Sequence, residues 1–240
     1  MDRQSLRTHL IRGCALMEIE INSHQVEQLL KFADMVETGN QQMNLTRIRS
    51  EAEFAVKHFV DCLAVQKIGF EFKGRGIDVG SGAGFPGIVI ASCLTSDSVV
   101  LIDSLEKRVR FLREVSEALQ LRHVSCVHGR AEDLARDSHY REQFQWAAAR
   151  AVAPLPVLLE YCVPFLSVGG HFIAFKGSGF PDELKAAVNA IKLLNLSIVD
   201  QHRLQLPFEM GERWIVNFRK EAATPSQYPR KAGIPRRKPL

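Results

Sequence analysis

The residues best suited to chemistry cluster in Ile77-Asp-Val-Gly-Ser-Gly-Ala-Gly-Phe-Pro-Gly87, a glycine-rich loop that leaves one apolar run and enters the next. Gly80, Gly82 and Gly84 let the backbone turn sharply and let a ligand approach where a Cβ would collide. Pro86 has no amide hydrogen and suits the first turn of a following helix. Two cofactors compete for such a loop. Gly82-Ala-Gly-Phe-Pro-Gly87 satisfies GxGxxG, and Asp103 follows about 20 residues later at a strand end, which is formally a dinucleotide fingerprint. Asp78, ahead of Gly80, fits S-adenosylmethionine better: a carboxylate there can hold a cationic methionyl end but would repel a pyrophosphate. Asp103, with Ser104 beside it, serves either ligand by accepting hydrogen bonds from ribose hydroxyls. A glycine turn that holds nothing is the bland alternative.

Other candidates stand at later strand ends, where doubly wound sheets bind their ligands. In His128-Gly-Arg-Ala-Glu-Asp133, Ala131 and Glu132 are placed to meet an adenine through a backbone amide and a carboxylate. A helix start rich in acids is the plain alternative. Arg150 ends the next apolar run and faces the same cleft, unless it is a surface arginine. No metal site is expected. The five cysteines lie far apart with no CxxC pair, and Cys93 and Cys126 sit in apolar runs that suit buried, inert thiols.

The elements that must position these groups follow from the pattern. The first 67 residues read as helices, one capped by Ser23 with Val26, Leu29, Leu30, Ala33 and Val36 on its apolar face and ending at Gly39-Asn40. Another begins at Ser50 and buries Phe54, Phe59, Leu63 and Val65. From Gly76 onward short apolar runs alternate with amphipathic stretches. Strands are expected at 76–79, 99–103, 124–127, 146–149 and 172–175, with helices at 105–119 and 182–194 among those between them. This alternation predicts an α/β fold: a parallel, doubly wound sheet covered on both faces. Runs 196–204 and 214–218 have no helix between them and read as an edge hairpin. The expected organisation is a helical region over 1–67, a cofactor-binding domain over 68–220 and a basic tail over 221–240.

The formal net charge of +4 is too small to argue for nucleic acid without regard to where it sits. The end, Tyr228-Pro-Arg-Lys-Ala-Gly-Ile-Pro-Arg-Arg-Lys-Pro-Leu240, has three prolines, five basic residues and no acid, and reads as an extended basic arm. Lys107, Arg108, Arg110 and Arg113 read as a solvated helix face. Met1–Gly13 carries charges too early for a signal peptide, and no apolar run reaches the ~20 residues that span a bilayer, so a cytoplasmic, non-membrane protein is expected.

Together the segments resemble the bacterial 16S rRNA (guanine-N7) methyltransferase G family, also called glucose-inhibited division protein B. The resemblance runs through Asn44-Leu-Thr-Arg, His58-Phe-Val-Asp-Cys-Leu, the glycine loop, Leu101-Ile-Asp-Ser-Leu-Glu-Lys-Arg108, Gly129-Arg-Ala-Glu132, Ala149-Arg-Ala-Val-Ala153, Phe175-Lys-Gly177 and Tyr228-Pro-Arg-Lys-Ala-Gly-Ile-Pro235. It departs from the family at Gly39, Cys62 and Gln145, where tryptophan, serine and aspartate are usual. The resemblance implies a Rossmann-like class I methyltransferase with a helical extension, acting as a monomer on 16S rRNA or the small ribosomal subunit. It implies cofactor contacts at Gly80, Phe85, Ala131, Glu132 and Arg150. It also implies charge facing RNA, expected from Arg47, Arg49, Lys57 and His58 and, in the tail, from Arg230, Lys231, Arg236, Arg237 and Lys238. Guanine N7 carries no proton, so no general base is assigned, and Arg150 is a candidate for steering the base. A NAD-dependent oxidoreductase would need a proton-shuttling His or Tyr that has no evident place. A non-catalytic RNA-binding module would leave the glycine loop unexplained.

Overall fold

Five parallel strands, β1 (Gly76–Val79), β2 (Val99–Asp103), β3 (Val124–His128), β4 (Phe144–Arg150) and β5 (Leu166–Lys176), carry the site at their carboxyl ends. The computed structural model describes residues 1–95 and 97–240. Two more strands, β6 (Leu196–Gln205) and β7 (Glu212–Lys220), complete the sheet in the order β3-β2-β1-β4-β5-β7-β6. β7 runs antiparallel to both β5 and β6, which gives the expected edge hairpin. The order reverses between β1 and β2 on one side and β4 on the other, opening the crevice in which doubly wound sheets bind ligands.

Alternating residues of the central strands enter two separate cores, as the two-residue period of a strand requires. Val99 and Leu101 face one, packed with α5 (Gly87–Cys93) and α6 (Glu106–Ala118); Val100 and Ile102 face the other, packed with α8 (Leu155–Cys162). Burial on both sides is why these strands read as unbroken apolar runs.

The first core is extended by the N-terminal helices, α1 (Arg3–Leu16) and α2 (Ser23–Met43), whose Leu10, Leu29 and Val36 are fully buried in it. The cap of α2 is Asn22 rather than the expected Ser23: Asn22 accepts from the Gln25 amide while the Gln25 side chain accepts from the Asn22 amide. Nor does the helix stop at Gly39-Asn40. It runs on to Met43 because Asn44 supplies a left-handed cap (φ 50°), while Asn40 turns its side chain to accept from the Thr46 amide at 2.9 Å. Ser50 caps α3 (Glu51–Phe54), which continues as a π-helical turn (Ala55–Val60), α4 (Asp61–Leu63) and a 3-10 turn (Ala64–Ile68). Phe54, Phe59, Leu63 and Val65 are buried, as expected. The single helix expected over 182–194 is broken into α9 (Phe180–Ala186) and α10 (Val188–Leu193).

The largest departure is the tail, which is docked rather than free. Tyr228 is buried, and the Arg230 guanidinium meets fully buried Glu160 of α8 at 2.6 and 2.9 Å. The carbonyl of Tyr228 accepts from Arg141 at 2.8 Å, and Ile234–Arg237 forms a helical turn, α11. Glu160 explains this: a carboxylate inside an apolar helix needs a cation, and the tail provides it. Cys93 and Cys126, expected to be buried, are partly buried against the first core, whereas Cys14, Cys62 and Cys162 are buried.

Candidate active site

After β1 the chain turns through Gly80, Gly82 and Gly84, all at positive φ. A Cβ on Gly80 would stand 2.8 Å from the Val152 side chain, so the close approach of the β4 end requires glycine there. Asp103, at the end of β2, is 4% exposed. One carboxylate oxygen accepts from the Gly82 amide and the other from the Leu105 amide, each at 2.9 Å, and Arg108 stands 3.5 Å away. These bonds fix the carboxylate at the rim of a cavity of about 470 Å³. Gly80, Asp103, Ser104, Ala131 and Glu132, five of the nine sequence candidates for cofactor contact, line it. Ala131 and Glu132 open α7 (Ala131–Leu134), and Glu132 is itself largely buried. The fourth wall comes from the tail: Gly233 donates its amide to Glu132 at 3.0 Å, and Arg236 lies beside it.

Asp78, Gly82, Phe85 and Arg150 do not line this cavity. Asp78 turns beneath the loop, where one oxygen accepts from the Gly87 amide at 3.0 Å and the other, buried, has no partner among the described residues. Burial pushes this carboxyl up to about 7. Gly82 acts through its bond to Asp103. Phe85 lies under His58, ring stacked on ring at 4.4 Å.

Arg150 belongs to a second cavity of about 550 Å³, which shares Ala151, Val152 and Ala153 with the first. Ala151 is held in the left-handed region (φ 57°), a costly conformation for a residue with a side chain, and turns this segment into a common wall. Arg150 donates to the Lys57 carbonyl and to Asp61, both at 2.7 Å, and to His58 Nδ1 at 3.1 Å. Because Nδ1 accepts, the His58 proton sits on Nε2, 2.9 Å from the Thr46 hydroxyl. Burial first, and the Arg150 charge second, lower the His58 pKa to about 3. His58 is therefore neutral, which corrects its expected role as a cation facing RNA. Asp61, 1% exposed, also accepts from Arg213 at 2.8 Å. Lys176 and Glu183 complete the polar lining.

The other basic candidates divide. Arg47, Arg49, Lys231, Arg236, Arg237 and Lys238 are exposed, Lys57 pairs with Glu53, and Arg230 is committed to Glu160. Arg108 leaves the solvated face it was assigned to and reaches the first cavity. Asp61, Tyr161, Lys176, Glu183, Arg213 and Gly233 were missed. Glu160 carried a usable signal, being a lone acid among Leu, Val and Cys; Arg213, distant in sequence and in no motif, carried none.

Among the described residues no group of His, Cys, Asp and Glu is arranged to hold a metal ion, and no helix is long and apolar enough to cross a membrane. The fold is similar to that of a putative O-methyltransferase from Klebsiella pneumoniae, with a TM-score of 0.53 at 15% identity over 80% of this chain and 90% of that one. It is also similar to the Methanococcus jannaschii fibrillarin pre-rRNA processing protein, with a TM-score of 0.51 at 15% identity over 63% of this chain and 69% of that one. Sheet order, glycine loop and strand-end acids define a doubly wound α/β fold of the Rossmann-like class. Residues 25–206 match the family model for rRNA small subunit methyltransferase G. The chain is 44% identical to the enzyme of that name from Alkaliphilus oremlandii over 98% of this chain and 99% of that one. It is 43% identical to the one from Brevibacillus brevis over 94% and 95%. The chain belongs to the rRNA small subunit methyltransferase G family, and the dinucleotide oxidoreductase and non-catalytic readings fall away.

Proposed function

We propose that the protein transfers a methyl group from S-adenosylmethionine to N7 of a guanine in 16S rRNA, within the small subunit or its precursor, in the cytoplasm. The observation that carries this reading is the pair of adjoining cavities with Ala151–Ala153 as their common wall. The first suits the cofactor. It offers the Asp103 carboxylate to paired hydroxyls, Glu132 and the Ala131 amide to an adenine, and a glycine turn that a side chain on residue 80 would fill. The partnerless buried oxygen of Asp78 suits a cationic amine group beyond the loop. The second cavity, lined by Lys57, Arg150, Lys176 and Arg213, suits an RNA base and its phosphates.

When bound, the cofactor supplies a methyl group on a sulfonium, an electrophile that needs no further activation. Guanine N7 has an in-plane lone pair and no proton, so this chain's task is alignment and the exclusion of water. Arg150 acts as a positioning residue, because both bonds of its NH1 nitrogen are already spent on Asp61 and Lys57. Neutral His58 fixes Arg150 and takes no proton in the pH range of activity. The exposed Arg47, Arg49, Lys231, Arg236, Arg237 and Lys238 offer charge to the RNA backbone.

Calorimetric titration with S-adenosylhomocysteine and with NAD tests the cofactor assignment. Saturable binding of the first alone is expected; binding of NAD alone would overturn it.

A further inference from the structure

The second cavity contains a donor–acceptor pair that complements one edge of guanine. Lys176, at the end of β5, is 7% exposed, and its ammonium donates to the Ala153 carbonyl at 2.9 Å and to Glu183 Oε2 at 2.6 Å. Glu183, on α9, has that same oxygen fixed by the Leu155 amide at 2.7 Å. Three elements thus hold one carboxylate in place. Its other oxygen, Oε1, accepts nothing among the described residues, and the third proton of Lys176 has no acceptor there. The other acid of this cavity, Asp61, has both oxygens spent on Arg150 and Arg213. Glu183 is accordingly the cavity acid with accepting capacity left.

A neighbouring ammonium and carboxylate oxygen complement a base edge that presents an acceptor beside a donor. Guanine offers O6 next to N1–H. We propose that Glu183 Oε1 accepts guanine N1–H while Lys176 donates to O6, so that this pair orients guanine and sets it apart from adenine; uracil presents O4 beside N3–H in the same way but has no N7 to receive a methyl group. The proposal rests on guanine N7 being the target. It also explains the orientation. N7 lies on the same edge as O6, and Lys176 is bonded to Ala153 of the wall shared with the first cavity. O6 on Lys176 therefore turns N7 toward that wall. Adenine can satisfy the same pair only with its amino group on Glu183; its acceptor on Lys176 is then N1, which carries N7 to the far side, or N7 itself, whose lone pair is thereby occupied.

The test compares wild type, Glu183→Ala and Glu183→Gln on small subunits reconstituted with guanosine or N1-methylguanosine at the nucleotide that the wild type modifies. Thermal midpoint and S-adenosylhomocysteine affinity confirm that the variants are folded. Loss of one hydrogen bond to a charged acceptor predicts a fall in kcat/KM of about 10- to 100-fold for Glu183→Ala on guanosine. The wild type should discriminate against N1-methylguanosine by a similar factor, and Glu183→Ala, with the carboxylate gone, should hardly discriminate. Glu183→Gln, which keeps an acceptor, should fall between. Full activity of Glu183→Ala on guanosine would overturn the proposal. So would a weakened variant that still discriminates as wild type does, since that is the mark of a merely structural role. Failure of the underlying reading would show separately, as a wild-type product other than N7-methylguanosine.

Discussion

The amide of Gly233 donates to the carboxylate of Glu132 at 3.0 Å, joining residues 101 positions apart and closing one side of the first cavity with the tail. Three residues earlier the chain passes Arg230, which neutralises Glu160 inside α8. Stability and cofactor site therefore share one segment.

Removal of Tyr228–Leu240 is expected to lower the thermal midpoint and S-adenosylhomocysteine affinity together. A buried carboxylate left without its cation costs about 3 kcal/mol, or about 6–12 °C in a domain of this size. Scanning calorimetry and isothermal titration on one truncated protein check both. An unchanged midpoint would return the tail to the role of a free RNA-binding arm.

Asp103→Asn is expected to weaken S-adenosylhomocysteine binding by about 1.5–3 kcal/mol, the range for hydrogen bonds to a charged acceptor. Because Asn still accepts from one of the Gly82 and Leu105 amides, the fold should persist. Titration calorimetry paired with a urea midpoint separates affinity from folding; equal affinity in the folded variant would remove the ribose assignment.

Asp78 links stability to pH. Its folded-state pKa of about 7 lies above the ordinary 3.8, so between these values the folded protein keeps a proton that the unfolded chain gives up. Its stabilising contribution is complete below the lower value and is lost as pH rises through the upper one. The stability of the cofactor-free wild type relative to Asp78→Asn should thus decline from about pH 4 to 7, by at most about 1.4 kcal/mol per unit, and level off beyond. Urea unfolding of both proteins across that range measures it; a flat difference would show that Asp78 is not held in its protonated form.

Arg150→Lys keeps the charge but loses the planar fork that spans Asp61, His58 and the Lys57 carbonyl. Single-turnover transfer is expected to slow by about 100-fold, the scale of lost alignment, with S-adenosylhomocysteine affinity nearly unchanged. Rapid-quench kinetics and calorimetry give the two numbers. Parallel losses in both would place Arg150 at the cofactor instead.

The parts of the fold governed by short-range pattern were legible in the sequence. β2 falls at Val99–Asp103, as its apolar run and terminal acid imply, and Gly80, Asp103, Ser104, Ala131 and Glu132 gather at one cavity because strand ends converge in a parallel sheet. Side-chain direction was less legible. Asp78 sits at the expected strand end, yet the alternation of a strand sends its carboxylate under Gly87. His58 looks like a cation in sequence, and only its burial and the Arg150 charge beside it make it neutral. The tail was misread because local composition, rich in proline and basic residues, says nothing about a partner such as Glu160, 70 positions away. The lone acid Glu160 in its apolar helix signals that a cation is needed but not which one.

The atom that receives the methyl group distinguishes guanine N7 from every other target. N7-methylguanosine in RNA is cut by borohydride reduction followed by aniline, a reaction that other methylated guanosines resist. Small subunits lacking the modification, incubated with the protein and S-adenosylmethionine and then treated in this way, should give one new cleavage at a guanine of 16S rRNA, as read by primer extension. The cleavage should vanish with Asp103→Ala protein. Label incorporated into RNA without any such cleavage, or into another nucleoside on digestion, would contradict the assignment of guanine N7.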